Sequence, residues 1–218
     1  DGSNVVMRSS GNETGWGMFM PKRIVHDPLD TDAPWKMIYW ERPAPESAVG
    51  ICLATSTDGI EWHPSSDRPL IDSANDAASF TPTHPDHPET IRNARYLLYQ
   101  QTWRYNPNLP QDRDNLRAMH REISLWHSPG FGTAKMGGGW IGPITVLAPD
   151  DKDPSDLQHY WLTPFHTTTG YGGLLNCHHT IDQTMDVQYV TSKDGWTWTR
   201  EWDRMPIVPL GERGTFDC

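Results

Sequence analysis

Two twelve-residue segments constrain this chain more than any other feature. Ile51–Trp62 reads ICLATSTDGIEW and Val187–Trp198 reads VQYVTSKDGWTW. Each is an apolar run, a Thr-Ser-x-Asp-Gly turn, and a Trp three residues past the Gly. Asp-Gly is the strongest short hairpin signal, because Gly adopts positive φ without steric cost and Asp tolerates the left-handed region. Each copy runs on to a proline and an aliphatic pair, Pro69-Leu70-Ile71 and Pro206-Ile207-Val208. A degenerate copy lies between them, with Ile123–Ser128, a Gly-rich stretch to Trp140, and Pro143-Ile144. The turn acids Asp58 and Asp194 are explained by hairpin geometry and carry no catalytic expectation.

The serines of the three copies, Ser56, Ser128 and Ser192, are 72 and 64 residues apart. That period is too long for ankyrin or leucine-rich repeats and suits one four-stranded propeller blade with long loops. Upstream of each hairpin lies an aromatic strand, at Trp35–Trp40, Arg95–Gln100 and Tyr171–Asn176. Before each of these lies a further one, at Arg23–His26, Ala78–Thr81 and His159–Leu162. Four strands in this order form a W-shaped sheet with the first strand innermost. The expectation is an all-β, single but partial propeller domain over residues 1–218, with blades at 14–71, 73–147 and 155–208 and the run-in to another after Leu210. A closed propeller needs at least about four blades, so the chain reads as a fragment. Asn106–Arg121 is polar and suggests a loop with a short helix over Asp112–His120.

Composition agrees. Eleven Trp, 7 Tyr, 18 Gly and 19 Pro beside 36% hydrophobic residues suit short aromatic strands joined by many turns. A net charge of −10 with only 18 Lys and Arg argues against nucleic acid or an anionic membrane, both of which need a basic face. A neutral ligand such as a sugar fits better. The first ten residues have neither a basic stretch nor an apolar run, so no signal peptide or membrane span is visible there, and a secreted or periplasmic setting stays open. The cysteines Cys52, Cys177 and Cys218 are odd in number and form no C-x-x-C pair, which points to buried thiols. His84 and His87 share a Pro-rich loop, and His178 and His179 are neighbours whose side chains would leave opposite faces of a strand. No metal and no cofactor is expected.

Asp27-Pro28, Trp35–Trp40, Gly50–Trp62, Val146–Pro154, Ser192–Arg200 and Arg204–Asp217 together resemble the glycosyl hydrolase family 32-like and family 43-like proteins. These are five-bladed propellers of the arabinanase, levansucrase and invertase superfamily. The resemblance runs from about Asn4 to Asp217 and implies a glycoside hydrolase acting on a carbohydrate substrate. It also implies carboxylates at the starts of successive innermost strands. One protonates the leaving oxygen and another serves as nucleophile or base. Carried onto this sequence, the rule gives Asp76, Asp156 and Asp217 as catalytic candidates. Asp153 competes with Asp156, Glu13 is a weaker match, and Glu122 is an alternative axial acid. Trp103, Tyr105 and Trp161 are the candidates for stacking on sugar rings. A non-catalytic carbohydrate-binding propeller, or an inactive fragment, would keep the blade motifs without the acids.

Overall fold

A computed structural model describes residues 4–72, 74–84, 86, 94–105, 119–131, 139–212 and 214–215. The first sheet contains β1 (Phe19–His26), β2 (Trp35–Glu41), β3 (Gly50–Ser56) and β4 (His63–Pro64) in that order, and β5 (Ile71–Asp72) also pairs with β3. The second runs β6 (Ala78–Pro82), β7 (Tyr96–Tyr105), β8 (Met119–Ser128), β9 (Ile141–Leu147). The third runs β10 (Leu157–Thr167), β11 (Gly170–His179), β12 (Thr184–Ser192), β13 (Trp198–Arg200), with β14 (Pro206–Val208) also on β12. Each is an antiparallel meander, and the described residues contain no α-helix. The chain is therefore all-β, and its described residues build three consecutive antiparallel sheets of five, four and five strands, arranged as successive blades of a partial propeller. Met119 and His120, placed in a short helix by the sequence reading, belong to strand β8. There they pair with Tyr105 and Arg104, so a long hairpin arm replaces the expected turn of helix. The rest of that expected helix lies outside the described residues.

The Asp-Gly repeat is a repeat of hydrogen bonds. Gly59 N donates to Ser56 Oγ at 2.9 Å, while Ile60 N and Glu61 N donate to Asp58 Oδ1 at 2.8 and 2.9 Å. In the third blade Gly195 N donates to Ser192 Oγ at 2.9 Å, and Trp196 N and Thr197 N donate to Asp194 Oδ1, both at 2.7 Å. Gly59 and Gly195 take φ of +78° and +74°. The following Trp62 and Trp198 are buried, and each indole N–H returns to the carbonyl of its turn glycine, at 3.1 and 3.2 Å.

The core lies between blades. Ile38, Trp40, Ile51 and Leu53 of the first sheet pack against Phe80, Tyr96 and Leu98 of the second. The opposite face of the second sheet, with Leu97, Tyr99, Ile123 and Leu125, packs against Leu162, Tyr171, Leu175, Val190 and Trp198 of the third. Alternation along β7 sends Leu98 to one neighbour and Leu97 and Tyr99 to the other. Hydrogen bonds also cross these interfaces, among them Trp40 Nε1 to Ala74 O at 2.8 Å and Tyr99 Oη to Gly195 O at 2.7 Å. Cys52 and Cys177 are buried free thiols, and burial pushes the Cys52 thiol up to about 12. The innermost strands come together, β1 beside β6 and β6 beside β10, and Arg23 Nη2 reaches from β1 to Pro164 O on β10 at 3.1 Å.

Candidate functional site

Because each blade is an antiparallel meander, the rim where its first strand starts is also the rim where its second strand ends. At that rim Met20 from the start of β1, Trp40 from the end of β2, the turn before β6, and Gln100–Trp103 of β7 surround a cavity of about 640 Å³. Tyr160 of β10, Arg121 of β8, Pro143 of β9 and the more exposed Trp16 complete its wall.

Asp76 supplies its carboxylate. The turn that carries it is fixed by Asn75 Oδ1, which accepts from Ala77 N at 2.9 Å, and by Ala77 O, which accepts from Gln101 N at 2.8 Å. Lys22 on β1 places its ammonium 3.3 Å from Asp76 Oδ2, with the lysine side chain 6% exposed and the aspartate side chain 38% exposed. The same ammonium lies 5.0 Å from the centre of the Trp161 ring. Trp161 thus backs the Lys22–Asp76 pair from outside the cavity wall.

Arg121 is nearly buried. Its Nη1 donates to Gln158 Oε1 at 2.6 Å, it lies 3.5 Å from His178 Nδ1, and its guanidinium sits 5.1 Å from the Tyr160 ring centre. The cavity wall thus joins four aromatic rings to three side-chain amides, a carboxylate and a guanidinium. Such a wall holds a saccharide well, since rings meet the C–H faces of a sugar while amides and charged groups meet its hydroxyls.

Of the other sequence candidates, Trp103 lines the cavity and is 50% exposed, while Tyr105 lies two residues further along β7, 65% exposed and outside the lining. Asp156 precedes β10 as anticipated, but its carboxylate faces the β11–β12 turn, where Ile181 N lies 3.4 Å from Oδ2. Asp153 is bound to Arg200 at 2.7 Å and Arg204 at 3.0 Å. Burial alone would raise its pKa, yet the two guanidinium groups and the Asp150 backbone contact hold it below the usual range. Glu122 is buried against Arg104 at 3.2 Å and accepts from Thr145 Oγ1 at 2.6 Å. Glu13 is exposed and away from the cavity. Asp217 lies outside the described residues. Among the described residues, Asp76 is thus the one carboxylate in the wall.

Sequence reading missed Trp16, Trp40, Gln101, Arg121 and Tyr160. Trp161 was chosen for adjoining an inner strand, but its neighbour Tyr160 lines the cavity. Strand β10 bulges there, with His159 opposite Cys177 and Trp161 opposite Asn176, so Tyr160 is the extra residue. A one-residue bulge exchanges which neighbour faces the ligand, and nothing in the local sequence announces it.

No family model and no curated protein matches the sequence. Solved structures do share the fold. An N-acetylgalactosamine deacetylase from F. plautii, in complex with blood group B trisaccharide, aligns at a TM-score of 0.56 and 15% identity over 86% of this chain and 52% of its own. A structure described as a glycoside hydrolase aligns at 0.56 and 15% identity over 88% of this chain and 59% of its own. The Bombyx mori GH32 beta-fructofuranosidase aligns at 0.53 and 11% identity, over 84% and 34%. At these identities the likeness is one of fold. The chain spans between about a third and three fifths of the lengths of these structures.

Proposed function

We propose that the rim cavity binds a carbohydrate and that the chain is part of a glycoside-hydrolase-like propeller that processes glycosidic bonds there. The observation that carries this reading is the wall itself, where Trp16, Trp40, Trp103 and Tyr160 alternate with Asn75, Gln100 and Gln101 around Asp76. In this reading Asp76 is one of the two carboxylates that glycosidic cleavage requires. Asp217, offered by the sequence reading and outside the described residues, is the candidate for the second. The likeness in fold to structures described as a glycoside hydrolase and a beta-fructofuranosidase supports a carbohydrate ligand.

A second reading is favoured by one observation. The described wall holds a single carboxylate, and Lys22 is paired with it. A carboxylate and an ammonium side by side accept from and donate to neighbouring sugar hydroxyls, which is enough for recognition without cleavage.

Reducing-sugar release from sucrose, arabino-oligosaccharides and xylo-oligosaccharides separates the two. Under the hydrolase reading, Asp76→Asn and Asp217→Asn each lower turnover by about a hundredfold or more while sugar affinity falls much less. Unchanged turnover in Asp76→Asn overturns the assignment of Asp76. Binding without release by the unmodified protein makes the site a recognition module.

A further inference from the structure

We propose that Gln101 is the positioning residue of this cavity, holding both the Trp103 ring and the Asp76 turn in ligand-binding geometry. The proposal rests on the cavity being the saccharide site.

Gln101 is 3% exposed, on β7 at the cavity floor. Its Oε1 accepts from Asn75 Nδ2 at 2.6 Å and from Trp103 Nε1 at 3.2 Å, and its Nε2 donates to Tyr160 O at 2.9 Å. The orientation of the amide is fixed by chemistry, because an indole N–H can only donate and a backbone carbonyl can only accept. One buried side chain therefore ties its own blade to the turn before β6 and to the bulge in β10. Asn75 relays the tie, since its Oδ1 holds Ala77 N while its Nδ2 holds Gln101, with Asp76 between them. Among the described residues, half-exposed Trp103 joins no core cluster, and its indole N–H is held by Gln101 Oε1, the bond to which the proposal assigns the tilt of its ring. An aromatic platform binds a sugar only when its tilt suits the ring above it, and a carboxylate acts on that sugar only at a fixed distance. Gln101 sets both through one amide.

The test uses Gln101→Met, which keeps the volume and removes the hydrogen bonds, with sucrose, arabinotriose and xylotriose as probes in titration calorimetry. We expect at least a tenfold loss of affinity for whichever sugar the unmodified protein binds. Trp103→Phe, which keeps a smaller aromatic ring and removes the indole N–H, should lose threefold or more. The double variant should bind no more than threefold weaker than Gln101→Met alone, because both changes break the same link. Losses that multiply in full, or an unchanged affinity in Gln101→Met, overturn the proposal. A ligand-free arm uses 5-fluorotryptophan labelling, with the Trp103 fluorine resonance identified by its loss in Trp103→Phe. That resonance should shift or broaden in Gln101→Met, and an unmoved line overturns the proposal. If none of the probes binds the unmodified protein, the saccharide reading fails, while the fluorine arm still decides whether Gln101 positions Trp103. If Gln101→Met does not fold, Trp103→Phe carries the test, since its side chain is half exposed, and unchanged affinity there overturns the proposal.

Discussion

The turn glycines Gly59 and Gly195 share a backbone conformation but not an environment. A Cβ at Gly59 would meet the Trp35 ring at 3.3 Å, whereas at Gly195 it would lie 2.4 Å from Leu97 Cδ1 and 3.1 Å from Tyr99 Oη, inside the contact between the second and third blades. Alanine at either position bears the left-handed penalty of roughly 1–2 kcal/mol. Gly195→Ala adds overpacking of a tight interface, for a further ~1–3 kcal/mol. Denaturant unfolding of the two variants should therefore show Gly195→Ala clearly less stable than Gly59→Ala, and equal losses would contradict the interface contact. These turns were legible in the sequence because their chemistry is local: Ser, Asp and Gly within four residues satisfy one another. Asp76 was singled out differently, by the resemblance, which puts carboxylates just before inner strands, and the structure places it in the cavity wall. Gln101 was not legible, because its three partners come from Asn75, Trp103 and Tyr160, and the two outside its own strand are 26 and 59 residues away.

At the scale of elements, Trp198 joins two blades. It begins β13, its ring meets Tyr99 of β7 edge-on with centroids 5.5 Å apart, and it belongs to the core between the second and third sheets. Trp62, its counterpart in the first blade, packs with Met37, Tyr39, Cys52 and Ala54 on the far side of that blade. Replacing Trp198 by Ala should cost about 3–5 kcal/mol, measured as a drop in the denaturant midpoint. Trp62→Ala should cost less, because it opens no contact between described blades, and the reverse order would contradict this packing. Strand content was readable from the apolar and aromatic runs and the Asp-Gly turns, yet strand lengths were not. β7 and β10 run to Tyr105 and Thr167, well past the expected Gln100 and Leu162, because their polar outer halves pair with β8 and β11 where no apolar pattern marks them. The same hairpin arm explains the misplaced helix, since Met119 and His120 pair with Tyr105 and Arg104.

For the molecule as a whole, buried and paired titratable groups set how stability follows pH. His159 is completely buried, and burial pushes its pKa down to about 3. Unfolded histidine titrates near 6.5, so between about pH 6.5 and 3 the unfolded chain binds the extra proton and stability falls with acidification. Asp27 and Asp153 act in the same direction. Burial opposes their ionisation, but Tyr96 and Arg95 on Asp27, and Arg200 on Asp153, hold both below the usual range, so their contribution disappears as pH falls through those lowered values. His179 acts oppositely. Its bond to Asp186 raises its pKa, so its contribution is complete below about 6.5 and fades as pH rises through the folded value. Thermal unfolding across pH should rise steeply from acid to near-neutral pH, and His159→Leu should flatten the acid limb. An unchanged acid limb in His159→Leu would show that other groups dominate it.

The blade array was readable from the repeat, while the cavity required three inner strands to be set side by side, which no single segment encodes. The central claim is that this cavity receives the sugar. It is tested most directly by a crystal structure of the protein with whichever of sucrose, arabinotriose or xylotriose binds it. The account predicts the sugar at the rim of the inner strands, with a ring face on Trp103 and a hydroxyl within hydrogen-bonding distance of Asp76. A sugar bound elsewhere, with the Trp103–Asp76 cavity empty at saturating ligand, would contradict it.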